Sequence, residues 1–116
     1  MSREAAASPL TLEIDRAGDT AVVRCRGKLV AGVNEVLYAK VSQLIPETRR
    51  IVLDLTDLTH MDSMGLGTVV RLYVSARSAG SNVELINLGK RIRQLLSVTN
   101  LLPVLSAIGP QGITVI

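Results

Sequence analysis

Ile51-Val52-Leu53-Asp54-Leu55, running on through Leu58-Thr59-His60-Met61-Asp62-Ser63-Met64-Gly65-Leu66-Gly67, passes from an apolar run through a polar stretch into a helical repeat. The nearly continuous apolar residues 51–55 predict a short strand covered on both faces. Past the glycines, Leu66, Val69, Val70 and Tyr73 recur at intervals of three and four, with Thr68, Arg71, Ser75 and Ser78 on the opposite side. That spacing predicts an amphipathic helix, which Gly80 stops. Residues 58–67 are therefore read as the loop joining a strand to a helix. Asp54, inside the strand, needs a hydrogen-bonding partner if it is buried, and pinning a neighbouring loop would supply one.

Working outward, residues 10–15 alternate apolar (Leu10, Leu12, Ile14) with polar positions, the period of a half-exposed strand. Ala17-Gly18-Asp19 signals a turn, and residues 20–26 alternate again with Ala21, Val23 and Cys25 on one face, so the two runs read as a hairpin. Cys25 is then a small buried thiol. Residues 27–32 read as a loop. From Val33 the period lengthens: Val33, Val36, Leu37, Val41 and Leu44 form one helical stripe, closed by Pro46. Residues 83–88 predict another apolar strand, and 90–98 a third helix with Ile92, Leu95 and Leu96 inward. A Gly-Pro-Gln-Gly turn and a strand-like run at 113–116 complete the chain. Strands alternating with helices after a leading hairpin predict an α/β fold: one compact domain with a mixed sheet packed against amphipathic helices.

The 116 residues suit one domain, and 47% are apolar, enough for a core. With no Phe or Trp and only two Tyr, Leu, Val, Ile and Ala must fill it, and few aromatic faces are left to stack bases. The net charge is +3, but the basic residues are scattered, and the densest group (Lys90, Arg91, Arg93) reads as a solvated helix face. Direct nucleic-acid binding is not expected. A single cysteine forms no internal disulfide, the N-terminal residues have no apolar core of a leader, and no stretch approaches a membrane span. A cytoplasmic location follows as the expectation.

The 58–67 stretch carries what chemistry there is. Ser63 stands where a helix N-cap is expected, its hydroxyl placed to accept from the free amides of Gly65 or Leu66. Gly65 and Gly67 remove bulk from the first turns, at about 1 kcal/mol each against alanine, and would let another protein approach the backbone. A phosphoryl group on Ser63 would add about −1.5 to −2 charges beside Asp62. The helix N-terminus could tolerate it, whereas a partner surface shaped for a hydroxyl could not do so as cheaply. A plain capping serine explains the same residues. Met61 and Met64 flank the serine as flexible apolar side chains suited to a partner or to the core. Arg71, one to two turns on, reads either as a charged partner contact or as a solvated arginine. His60, the only histidine, has no companion ligand or acid in a motif, and no phosphate-binding glycine loop is present. No metal, cofactor or catalytic set is expected.

The run 51–67, continued through Gly80, Val83-Glu84-Leu85, Arg91-Ile92-Arg93-Gln94-Leu95-Leu96 and Thr99-Asn100-Leu101, resembles the STAS domain family of bacterial anti-sigma factor antagonists over residues 10–116, with 1–9 a flexible N-terminal segment. The resemblance implies a mixed sheet on helices and no catalytic activity. Its partner would be an anti-sigma factor that is also a serine/threonine kinase. The unmodified antagonist would bind that kinase and release its sigma factor, phosphorylation would end the complex, and a phosphatase would reset it. The family's acceptor, the serine after the aspartate, maps onto Ser63. Asp62, Met64, Gly65, Gly67, Arg71 and Lys28 fall around it as candidate partner contacts, and self-association into a homodimer is left open. Three positions depart from the family pattern: Met64 replaces a frequent second serine, and Lys28 and Val30 replace frequent acidic residues. The alternative is a non-switching scaffold subunit of a stress-signalling or lipid-transport complex.

Overall fold

Gly18, at a φ of 64°, reverses the chain tightly between Ala17 and Thr20, and the two alternating runs pair as an antiparallel hairpin of β1 (Leu10–Ala17) and β2 (Thr20–Leu29). The computed structural model describes residues 9–99; residues 1–8 and the turn and strand expected near the C-terminus lie outside them. After β2 come α1 (Asn34–Leu44), a 3-10 turn (Ile45–Glu47), β3 (Arg50–Met61), α2 (Ser63–Ser78), β4 (Asn82–Ile86) and α3 (Lys90–Val98). The four strands lie in the order β1-β2-β3-β4, with β2, β3 and β4 parallel. The mixed α/β architecture expected from the sequence is the one found.

Register explains which face is covered. Ala21, Ile51 and Val83 stand side by side across the three parallel strands, as do Val23, Leu53 and Leu85, and all are fully buried. Leu37, Val41 and Leu44 of α1, Leu66, Val69, Leu72 and Ala76 of α2, and Ile92 and Leu96 of α3 join them in one cluster, so the three helices cover the same sheet face. Cys25 lies within this core, and burial pushes its thiol up to about 12. The opposite face carries ion pairs, among them Arg24–Asp15 at 2.8 Å and Arg50–Glu84 at 2.8 Å.

Several expectations are corrected. The strand expected over 51–55 runs on to Met61, and β2 continues through Gly27, so neither 58–61 nor 27–29 is loop. The pairing shows why periodicity missed this. Between Arg24↔Asp54 and Arg26↔Asp57, β3 advances three residues while β2 advances two, and it gains another between Gly27↔Leu58 and Lys28↔His60. Each extra residue inverts the inward parity, so Leu55 and Leu58 are both buried. At Gly27, φ is +98° and an added Cβ would collide with the Pro9 carbonyl, which accepts a 2.8 Å bond from Lys28 N. On α1 the inward set is Asn34, Leu37, Val41 and Leu44, and Val36 is exposed. On α2, Thr68 faces inward: its hydroxyl accepts from Asn34 Nδ2 at 2.9 Å in a buried bond between helices. Leu72 joins the stripe, fully buried, while Tyr73 packs against the core only in part. Gly80 ends α2 as expected, at φ +82° in a Schellman arrangement with Ser81 N bonded to Ala76 O at 2.8 Å. Ile14, on the same sheet face as its partner Val23, is left exposed on the edge strand β1.

Candidate functional site: the start of the second long helix

Asp62, not Ser63, caps α2. Its backbone is extended (φ −104°, ψ −174°), and Oδ1 accepts from Gly65 N at 2.9 Å. The other oxygen, Oδ2, accepts from Ala31 N at 3.0 Å, so one carboxylate closes the helix and ties the β2–α1 loop to it. These two amides, Ala31's first, hold the Asp62 carboxyl below the usual carboxylate range. An aspartate outcompetes a neighbouring serine for this position because its ionised oxygens accept more strongly and serve two donors together. Ser63 thereby becomes the first helical residue. It is exposed, and its hydroxyl makes no hydrogen bond among the described residues.

The two glycines separate by what surrounds them. Gly65 is buried, and a Cβ there would collide with the Leu29 carbonyl and lie 2.9 Å from Leu29 Cγ. The same carbonyl accepts from Asp62 N at 3.3 Å. Gly65 is thus required by the chain's own backbone, which corrects the expectation that it opens the surface to a partner. Gly67 is exposed with nothing within 4 Å of an added Cβ, so no contact inside the chain requires it. Met64, 54% exposed, lies on the surface next to Ser63.

Of the other nominated residues, Lys28 stands beside His60 in the register, near the strand end that leads into Asp62, and its side chain is exposed. Arg71 is farther off, eight residues or about 12 Å along the helix axis from Ser63. It is neither free nor simply solvated: its guanidinium bonds Glu35 Oε2 at 3.1 Å and stacks 4.0 Å from the Tyr38 ring centroid, bracing α2 against α1. Asp54 does pin a neighbouring segment. Burial pushes its carboxyl up, but bonds from Thr56 and from Asn87 Nδ2 (3.1 Å) outweigh that and bring it below its ordinary value. Asn87 is the one non-glycine residue at positive φ (59°) among the described residues.

Sequence reading missed an open groove of about 640 Å³ beside the helix start, bounded by Val30, Met61 and Asp62 on one side and by Arg91, Leu95 and Val98 of α3 on the other. Its walls come from segments distant in the chain, and no local pattern announces their meeting. Among the described residues no helix is long and apolar enough to cross a membrane, and no cluster of His, Cys, Asp and Glu could hold a metal.

Comparison with known proteins gives this geometry a context. The model of the STAS domain matches residues 11–111. A Thermotoga neapolitana protein named as an anti-sigma factor antagonist, a TM1081 homolog, is 36% identical over 52 residues; the match covers 45% of this chain and 46% of the relative, so the chain spans about half of that relative's length. SpoIIAA, an anti-sigma factor antagonist solved in its unphosphorylated form, superposes with a TM-score of 0.71 at 24% identity, covering 80% of this chain and 84% of its own. The phosphorylated form of the Bacillus protein gives a TM-score of 0.67 at 24% identity, over 80% and 86% of the two chains. A sulfate transporter family protein from Wolinella succinogenes gives a TM-score of 0.70 at 15% identity, over 87% of this chain and 80% of its own. At these identities the structural matches speak for the fold, which very different proteins share. With the family model spanning nearly the whole chain, the protein belongs to the STAS domain family.

Proposed function

We propose that the protein is an anti-sigma factor antagonist acting in the cytoplasm, whose binding to a serine-kinase anti-sigma factor is ended by phosphorylation of Ser63. The observation that carries this reading is the division of labour at the start of α2: Asp62 does the capping, so the Ser63 hydroxyl is exposed and unengaged. A capping serine would have to surrender its bond to be modified. This one does not.

The transfer needs no chemistry from this chain beyond its hydroxyl. Ser63 Oγ attacks the γ-phosphorus of ATP held by the kinase, the bond to the β,γ-bridging oxygen breaks, ADP departs, and the hydroxyl proton passes to a base of the kinase. Hydrolysis by a phosphatase returns serine and inorganic phosphate. The protein is a substrate and a ligand here, not an enzyme. Because Ser63 faces solvent, the dianion adds no buried charge and the fold tolerates it. A partner packed over Met64 and the open backbone at Gly67 would have to desolvate it.

The kinase partner, isolated on the unmodified protein, should transfer one phosphate to Ser63 and none to a Ser63→Ala variant. Phosphoserine at 63 should weaken the complex at least about tenfold. A complex that forms equally with either state would instead support the scaffold reading, which the shared fold of a transporter-family protein keeps in play.

A further inference from the structure

The densest basic group in the sequence stands where helix electrostatics disfavour it. Lys90, Arg91 and Arg93 occupy the start of α3, a helix with no acidic residue in its first turn and no side-chain cap at Gly89. Cations at a helix N-terminus oppose the macrodipole, so Lys90 and Arg91, in the first turn, stand where an anion would be favourable. Several arginines elsewhere find carboxylates, Arg16 with Glu47, Arg24 with Asp15, Arg50 with Glu84 and Arg71 with Glu35, while Arg77 bonds the Tyr73 hydroxyl. Arg91 and Lys28 find none among the described residues. Arg91 nonetheless lines the groove beside Asp62, whose carboxylate is already committed to the amides of Ala31 and Gly65. Lys28 is the register neighbour of His60 but does not itself line the groove. The groove floor is apolar (Val30, Met61, Ile92, Leu95, Val98).

We propose that this groove docks an acidic, amphipathic segment of a protein partner, with its apolar side chains seated on Leu95 and Val98 and its carboxylates facing Arg91. A protein is favoured over a nucleic acid because the floor is aliphatic: the chain has no Phe or Trp, its two tyrosines, Tyr38 and Tyr73, lie on α1 and α2 outside the groove lining, and His60 is the single ring at the groove. The proposal deepens the Ser63 reading, on which it rests for its consequence: a phosphate next to Asp62, at the groove rim, would repel the segment that Arg91 attracts.

The test uses the unphosphorylated full chain, ¹⁵N-labelled, with two synthetic helical peptides, one of leucine and glutamate and its twin with lysine for glutamate. The glutamate peptide should shift the resonances of Val30, Met61, Arg91, Leu95 and Val98 and bind about tenfold or more tightly than the twin. Arg91→Glu should abolish that preference, and Lys40→Glu on α1 should keep it. Equal binding of the twins, shifts confined to another surface, or an unchanged preference in Arg91→Glu would overturn the proposal. So would a single-stranded oligonucleotide that perturbs the same residues more strongly than the peptide. No kinase enters this assay, so its failure would leave the Ser63 reading standing, and a Ser63 that is never phosphorylated would leave the groove result intact.

Discussion

Alanine at Gly65 and alanine at Gly67 should have opposite effects on stability, though both sit in the first two turns of α2. At Gly67 an added Cβ meets nothing within 4 Å, so Gly67→Ala recovers helix propensity of about 0.5–1 kcal/mol. At Gly65 the same methyl collides with the Leu29 carbonyl, a backbone atom at the end of a central strand, and presses the fully buried Leu29 side chain. Overpacking costs about 1–3 kcal/mol. The retreat of that carbonyl also weakens its bond from Asp62 N, about 1 kcal/mol more. Against a propensity gain of about 1 kcal/mol, the net loss is on the order of 2 kcal/mol. For a domain of this size that lowers the melting temperature by roughly 8–16 °C, while Gly67→Ala raises it by a few degrees. Circular dichroism melts with urea titrations as a check measure both. A Gly65→Ala protein as stable as wild type would refute the argument that the chain's own backbone requires this glycine. Under the proposed function, Gly67→Ala should also weaken docking of the kinase, since the added methyl meets nothing in the chain itself.

Asp62→Ala removes a cap and a loop tether, and should destabilise by about 1–2 kcal/mol in denaturant titrations, with Asp62→Asn costing less. Because the folded carboxyl sits below its unfolded value, its contribution is present above about pH 4 and is lost as pH falls through the lower folded value; acid titrations of Asp62→Asn should show a shallower decline than wild type over that window. At Asn87, alanine should cost about 1–2 kcal/mol more than glycine by thermal melts, since both lose the bond to Asp54 but only alanine is strained at a φ of 59°. Cys25, its thiol pushed up to about 12 inside the core, should resist a thiol-specific disulfide reagent at pH 8 and react fully once the protein is unfolded.

The sequence announced element order, the hairpin and the mixed sheet because those rest on local periods. Ala21, Val23 and Cys25 alternate cleanly, and Ile92 and Leu96 repeat at helical spacing. Where the reading failed, an extra residue or a long-range bond had overridden the local signal. The two register shifts in β3 hid the continuation of that strand to Met61. Thr68 looked like a surface residue until Asn34, thirty-four positions earlier, supplied its buried partner. At the site, Ser63, Met64 and Gly67 lie on the surface of the helix start, where the sequence left Met64 open between surface and core. The cap itself was assigned one residue late. An Asp-Ser pair offers two candidate caps, and only the second donor, Ala31 N, favours the aspartate decisively. Gly65 and Gly67 look alike in sequence and differ in the fold, because the carbonyl that makes one of them obligatory comes from β2. The groove with Arg91 could not be read at all, since its walls meet only after β3 and α3 pack together.

The most direct test of the account is a calorimetric titration of the kinase partner with the protein carrying serine or phosphoserine at position 63, both shown by amide spectra to share one fold. The account predicts tight binding of the serine form and affinity at least about tenfold weaker for the phosphoserine form. Equal affinities for two identically folded states would contradict it.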